Sequence, residues 1–175
     1  MILLISTCSD KLSEDEFVRS ISETVNIGFF VKHYSALNTG NIDKSSKIII
    51  CGTALMDNEY LNHLEAFDFL KNIRKPILGI CSGMQIIALQ FGAKIKREKE
   101  IGMIKISSAS ENKLFSGEFE AYALHGNGLT DLDKFDIIAK SGKGVQAIKH
   151  KKKEIYGVMF HPEVRNSLII KKFIS

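Results

Sequence analysis

Cysteine is scarce in this chain, and the three that occur, Cys8, Cys51 and Cys81, show no paired spacing. An odd number without a C-x-x-C repeat argues against a disulfide framework and against a zinc site, and points to a reducing cytoplasm as the simplest location. Long apolar runs are missing too. The opening Met1-Ile2-Leu3-Leu4-Ile5 is too short to span a bilayer, and Ser6, Thr7 and Ser9 follow too soon for a signal peptide, so it reads as a first buried strand and no membrane partner is expected. No internal repeat, low-complexity tract or linker breaks the chain. At 175 residues, 45% hydrophobic and 25% charged, it reads as one domain over residues 1–175 with a substantial core.

Concentrated basic surface is likewise lacking, although the net charge is +4. The lysines are scattered, and the one dense run, Lys149-His150-Lys151-Lys152-Lys153, lies between two strand-like segments. A phosphate-binding patch usually gathers basic residues on one face with stacking aromatics. The run reads instead as a solvated hairpin turn, with no nucleic-acid partner expected and room for an acidic protein partner.

What is present is an alternation of apolar and amphipathic segments. Ile2 to Ile5 reads as a strand, Glu14 to Val25 as a helix through Phe17, Val18, Ile21 and Val25, and Ile27 to Tyr34 as an extended segment. Lys47 to Cys51 reads as a central strand, Glu59 to Ile73 as a helix, the segment from Pro76 as another strand, and Ser82 to Phe91 as a helix stopped by Gly92. Beyond it come short strands: Ala93 to Lys96, Ile101 to Ser107, Glu118 to Leu124, Phe135 to Lys140, Val145 to Lys149 and Ile155 to Phe160. Asn166 to Ile174 closes as a helix. Parallel α/β units followed by antiparallel strands predict a mixed sheet with helices on both faces, a three-layer α/β sandwich whose central sheet is mostly parallel. Ligands on such sheets collect beyond the carboxyl ends of the central strands.

One of those ends carries Gly79-Ile80-Cys81-Ser82-Gly83-Met84-Gln85. The apolar run Ile77 to Ile80 stops at a cysteine set between glycines, and a helix follows at once, as in a nucleophile elbow. A thiol at a helix N-terminus meets unpaired N–H groups and the positive end of the helix dipole, which favour thiolate. On these seven residues alone, Cys81 reads equally well as a small buried residue of a parallel strand. Tyr156 to Val164 supplies context: His161 stands at the end of another apolar strand, with Glu163 two residues on. A nucleophilic cysteine needs a base to move its proton, and the base needs an acceptor that fixes its tautomer. Cys81, His161 and Glu163 fill those roles.

With these two motifs the chain resembles the class I glutamine amidotransferases, whose glutaminase domains carry a G-x-C-x-G-x-Q elbow and a late F-H-P-E motif, here Gly79 to Gln85 and Phe160 to Glu163. The resemblance implies a flavodoxin-like class I amidotransferase fold and hydrolysis of glutamine to glutamate and ammonia through a cysteine thioester, with no metal or organic cofactor. It also implies an oxyanion hole from backbone N–H groups of Gly52, Thr53 and Ser82, and substrate contacts from Gln85, Gly126 and Asn127. The family's second glycine after the central strand is Thr53 here. A β-branched residue resists positive φ, so this loop is expected to be shaped differently or to need a partner to order it. His125 is expected to order its loop, Leu124 to Gly128, and not to act as a second base; His33, His63 and His150 are expected at the surface or in packing.

Ammonia is useful when delivered, so the resemblance further implies that the acceptor is a separate ATP-dependent synthetase subunit. The segments Pro76 to Cys81, Val145 to His150 and Ile155 to Val158 are most similar to stand-alone GMP synthase glutaminase subunits. Their usual His-Lys-Asp reads His125-Gly126-Asn127 here. The other readings are a glutaminase subunit of another synthetase, a stand-alone γ-glutamyl hydrolase on the same fold, and a non-catalytic relative.

Overall fold

The computed structural model describes residues 1–26 and 28–175. Among these residues the strands form a nine-stranded mixed sheet in the order β2-β1-β3-β4-β9-β8-β7-β5-β6. Parallel ladders join β2 (Phe29–His33), β1 (Ile2–Ser6), β3 (Lys47–Ile50), β4 (Ile77–Ile80) and β9 (Ile155–Val158). Antiparallel ladders add β8 (Val145–His150), β7 (Phe135–Lys140), β5 (Lys94–Ser108) and β6 (Glu118–Thr130). The fold is therefore α/β. The predicted segment Ile27 to Tyr34 is a strand over Phe29–His33, and its first residue, 27, lies outside the described residues.

β1, β4 and β9 are buried at every position, the near-continuous apolar pattern expected of parallel strands covered on both sides. Their side chains alternate between two apolar clusters. Leu4, Ile49, Leu78 and Val158 join Phe17 of α1 (Lys11–Phe17), Ile21 and Val25 of α2 (Arg19–Val25), and Ile170 and Phe173 of α5 (Leu168–Ile174). Leu3, Ile5, Ile48 and Ile77 join Met84 and Ile87 of α4 (Ser82–Gln90), together with Phe67 and Leu70.

Several elements differ from the expectations of the sequence. The helix expected from Glu14 to Val25 is two, broken at Val18, and a short helix α3 (Thr39–Lys44), capped reciprocally by Asn38 and Asn41, is an addition. Glu59–Lys71 is a 3-10 helix, bent at His63 (φ −132°, ψ 35°). The cause lies in the spacing: Leu61, Leu64, Phe67 and Leu70 recur every third residue, the 3-10 repeat, and Ile73 continues it. The short strands on either side of residues 97–100 are one long strand, β5, interrupted by a register shift between Arg97 and Glu100. Residues 124–128, expected as a loop, belong to β6, where Asn127 pairs with Arg97 and Gly128 with Lys96. The lysine-rich run does form the β8 to β9 turn, and Lys151 and Lys153 donate to the carbonyls of Asp133 and Ile73, each at 2.8 Å.

The approach of α4 to the sheet places the elbow. A Cβ on Gly83 would lie 2.2 Å from the carbonyl oxygen of Ile50, and one on Gly79 would lie 2.5 Å from the Gly83 backbone. These glycines let the helix start against β3 and β4 without a side chain between. Gly83→Ala is expected to destabilise the fold by about 1–3 kcal/mol through overpacking. Gly142→Ala, with nothing within 4 Å of its added carbon, should fall within about 0.5 kcal/mol of the parent. Urea unfolding of the two variants checks this; equal midpoints would contradict the packing account.

Candidate active site

Cys81 ends β4 and begins α4. Its N–H continues the parallel ladder to the Val158 carbonyl at 2.8 Å, while its φ of 50° and ψ of −105° turn the chain sharply into the helix. A non-glycine residue at positive φ is strained, and strain of that kind persists only where the surroundings enforce it. Here the enforcement is α4 itself, buried from Ser82 through Ala88. The Cys81 thiol donates to the carbonyl of Leu124 at 3.5 Å.

His161 arrives from the loop after β9. Its N–H is held by the carbonyl of Tyr122 on β6 at 2.8 Å, and its ring packs 5.5 Å from that of Phe17. Nδ1 lies 2.7 Å from Glu163 Oε1, with both side chains at most 2% exposed. This contact fixes the proton on Nδ1 and leaves Nε2 available to a second partner. Buried Nε2 has no hydrogen-bond partner among the described residues, because the thiol points to Leu124. Gly52 closes the other side: a Cβ there would sit 2.9 Å from His161 Cε1 and 3.4 Å from Cys81 Cβ. Burial works against a charged imidazole, but the neighbouring Cys81 and Glu163 outweigh it and hold the His161 pKa well above the usual histidine value. The structure thus brings all three predicted side chains into one cluster.

The predicted oxyanion donors surround the same thiol. Among the described residues, the N–H groups of Gly52, Thr53 and Ser82 donate to no protein group. Thr53 does not have the positive φ that its β-branched side chain would resist. Its hydroxyl instead donates to Asp57 Oδ2 at 2.6 Å, and the same oxygen accepts from the Ser9 N–H at 2.7 Å. Burial opposes ionisation of Asp57, yet these hydrogen bonds prevail and hold its carboxyl below the usual range. The loop is braced from within. Ser82 is fixed by Thr7 at 2.9 Å and by the Cys51 carbonyl at 3.2 Å.

The substrate-contact candidates are less open. Thr53, Cys81, Ser82, Gln85, Gly126 and Asn127 all line one pocket of about 10 Å³, room for roughly one water. Gln85 is buried there with its amide already engaged: Oε1 accepts from Tyr60 at 2.6 Å, and Nε2 approaches Met159 Sδ at 3.6 Å. Tyr60 escapes sequence reasoning. Its only signal is an apolar position at the start of a helical segment. Burial first, and then the nearby Cys81, push the Tyr60 pKa up, so the hydroxyl stays protonated as a donor.

His125 lies within hydrogen-bonding distance of the carbonyls of Glu98 (3.1 Å) and Asn127 (3.0 Å) through Nδ1, spanning the β5 register shift. Burial lowers its pKa against the pull of Glu100. It orders backbone, that of a strand and not of a loop. His150 packs against Phe91 and Phe135. His33 lies within hydrogen-bonding distance of Ser35 and the Cys8 carbonyl, and His63 lies near Glu59 and Glu65. Among the described residues, no group of three or more His, Cys, Asp or Glu could hold a metal ion, and no helix is long and apolar enough to cross a membrane.

Burial raises the thiol pKa of Cys8 and, more strongly, of Cys51. Iodoacetamide at neutral pH is therefore expected to modify Cys81 and to spare the other two, as read by peptide mass mapping. Modification of Cys8 or Cys51 with Cys81 untouched would overturn the assignment of the reactive thiol.

The chain is similar to known proteins. The family model for glutamine amidotransferase class-I matches residues 16–174. Over 113 residues the chain is 42% identical to a subunit of the glutamine-hydrolyzing GMP synthase of Methanococcus maripaludis, a match covering 58% of this chain and 60% of that protein. The corresponding protein of Methanocaldococcus jannaschii is 42% identical over 107 residues, or 57% of each chain. The match thus spans no more than about 60% of the length of these relatives. A crystal structure from Thermoplasma acidophilum, provisionally assigned to a subunit of GMP synthase, superposes with a TM-score of 0.85 at 26% identity, covering 99% of this chain and 92% of that one. A glutamine amidotransferase from Thermotoga maritima shares the fold, with a TM-score of 0.74 at 22% identity over 99% of this chain and 80% of that one. The elbow at Cys81, the His161–Glu163 pair and these likenesses agree: the chain belongs to the class I glutamine amidotransferase family.

Proposed function

We propose that this chain hydrolyses glutamine to glutamate and ammonia and supplies the ammonia to a separate ATP-dependent synthetase subunit, in GMP synthesis. The observation that carries the reading is the strained Cys81 at the start of α4 with the buried His161–Glu163 pair beside it. As thiolate, Cys81 attacks the side-chain amide carbon of glutamine, and the amide oxygen takes the negative charge. The N–H groups of Ser82 and of Gly52 or Thr53 are the donors for that oxygen. The imidazolium of His161 gives its proton to the departing nitrogen, releasing ammonia and leaving a γ-glutamyl thioester. Water then attacks the thioester while His161 takes its proton, and the C–S bond breaks to release glutamate and restore the Cys81 thiolate. Each backbone donor in such a hole is worth about a hundredfold in rate or more. Gln85, Gly126 and Asn127 are the candidates for holding the amino-acid end.

The same reading makes residues 1–175 one glutaminase domain, a three-layer, flavodoxin-like sandwich with a mostly parallel central sheet and antiparallel strands in its C-terminal half, working in the cytoplasm without metal or organic cofactor. The apolar clusters on either side of the parallel strands support the layering. The likeness to GMP synthase subunits over the matched stretch supports the acceptor.

His161→Ala is expected to lower kcat for glutamine by about a thousandfold, within the range of lost acid–base catalysis. Glu163→Gln keeps an acceptor for Nδ1–H but loses its charge, and should cost about tenfold to a hundredfold. Because Glu163 helps to raise the His161 pKa, the imidazolium in Glu163→Gln should also release its proton at lower pH, as followed by NMR of the ring. Equal losses in the two variants, or a silent Glu163→Gln, would refute the triad.

A pocket of about 10 Å³ beside the thiol implies a slow isolated enzyme. Glutamate release is expected to rise about a hundredfold, the worth of one ordered backbone donor, when a nucleotide-loaded GMP synthetase subunit is added. Stimulation by a different synthetase alone would reassign the acceptor. Full activity without any partner, with preference for γ-glutamyl peptides, would replace this reading with a γ-glutamyl hydrolase.

A further inference from the structure

The thiol pocket adjoins a much larger cavity. An outer cavity of about 500 Å³ is lined by Met56, Arg97, Glu98 and Lys99, and it shares Leu55, Asn58, Gly126 and Asn127 with the pocket around Cys81. Two of the shared side chains meet: Asn127 Nδ2 donates to Asn58 Oδ1 at 3.2 Å. Among the described residues this is the side-chain hydrogen bond that crosses from the loop after β3 to β6. The loop is otherwise braced on its own side, through Thr53, Asp57 and Ser9. The contact between the amides is thus the part of the wall that can part without disturbing the loop.

From this geometry we infer that Asn58 governs entry to Cys81: paired with Asn127 it partitions the outer cavity from the thiol pocket, and unpaired it receives the α-amino-acid end of the substrate. The inference rests on the glutaminase reading for the identity of that substrate. Parting the amides frees one carbonyl oxygen, an acceptor suited to an α-ammonium group, and one amide nitrogen, a donor suited to an α-carboxylate. Arg97 and Lys99 place positive charge on the outer wall, which favours the carboxylate there. Glu98 does not cancel it, since its carboxylate is paired with Lys96 and packed against Gly128 and Gly144. The side-chain amide of the substrate, at the other end of its aliphatic stem, is then directed inward to Cys81. Asn58 is a positioning residue in this scheme, exposed and outside the hydrophobic core.

The test compares the full chain with Asn58→Ala, which removes the pairing, and Asn58→Asp, which keeps an oxygen to accept from Asn127. Alkylation of Cys81 by iodoacetamide, without glutamine, is the first readout. It should be about threefold to tenfold faster in Asn58→Ala, the range for loss of one hydrogen bond, and close to the parent rate in Asn58→Asp. The second readout is KM for glutamine, which should rise in Asn58→Ala and be restored in Asn58→Asp. Parent-like alkylation in Asn58→Ala overturns the partition. So does faster alkylation accompanied by modification of Cys8 and Cys51, which marks a loosened fold, or a failure of Asn58→Asp to restore the parent rate. If none of the proteins releases glutamate from glutamine, even with the nucleotide-loaded synthetase subunit added, while the alkylation pattern holds, the glutaminase reading fails and the partition stands.

Discussion

The carbonyl of Ile50 and the α-carbon of Gly83 are in contact because no side chain stands between them, and the geometry of the site depends on that approach. It sets α4 directly on β3 and β4, which forces the chain to turn within one residue at Cys81. The turn is unfavourable for a residue with a Cβ. Burial of α4 on nearly every side compensates, as a helix apolar all round must be enclosed to be stable. Packing far from the reacting atoms thus holds a strained backbone, and the strained backbone aims the thiol.

Electrostatics completes what packing begins. A histidine as buried as His161 would ordinarily be neutral, since desolvation penalises the cation. The carboxylate of Glu163 on one side and the sulfur of Cys81 on the other reverse that preference. The charged base is therefore a property of the cluster and not of the residue. The same burial acts without such compensation on Cys51, one strand away, and holds that thiol's pKa well above the usual value.

Much of this is legible in the chain itself. Cys81 and His161 each close an apolar run, and at the carboxyl edge of a parallel sheet such ends converge; Glu163 follows from the chemistry that His161 requires. The central strands are legible because burial on both faces leaves them apolar throughout. The 3-10 segment reads as an α-helix because an every-third-residue pattern lies close to helical spacing over a few turns. Residues 124–128 read as a loop because of their glycines, whereas the pairing partner that makes them a strand lies some thirty residues earlier. Thr53 suggests a strained loop, but the strain depends on a φ that sequence does not reveal. Asn58 has no signal at all: an exposed asparagine carries no periodicity, and its importance arises only from what stands opposite.

One strand touches both Cys81 and His161. β6 offers the Leu124 carbonyl to the thiol of Cys81 and, two residues earlier, the Tyr122 carbonyl to the backbone of His161. Neighbouring carbonyls on a strand keep a fixed spacing, so Cys81 and His161 are referenced to a common datum, as two parts of an instrument are mounted on one rail. If the rail shifts, both parts shift with it, and their mutual alignment survives while their distance to the opposing Gly52–Thr53 loop changes. Tolerance is tight between the Cys81 thiol and the His161 ring, and adjustment is confined to the gap between them and that loop.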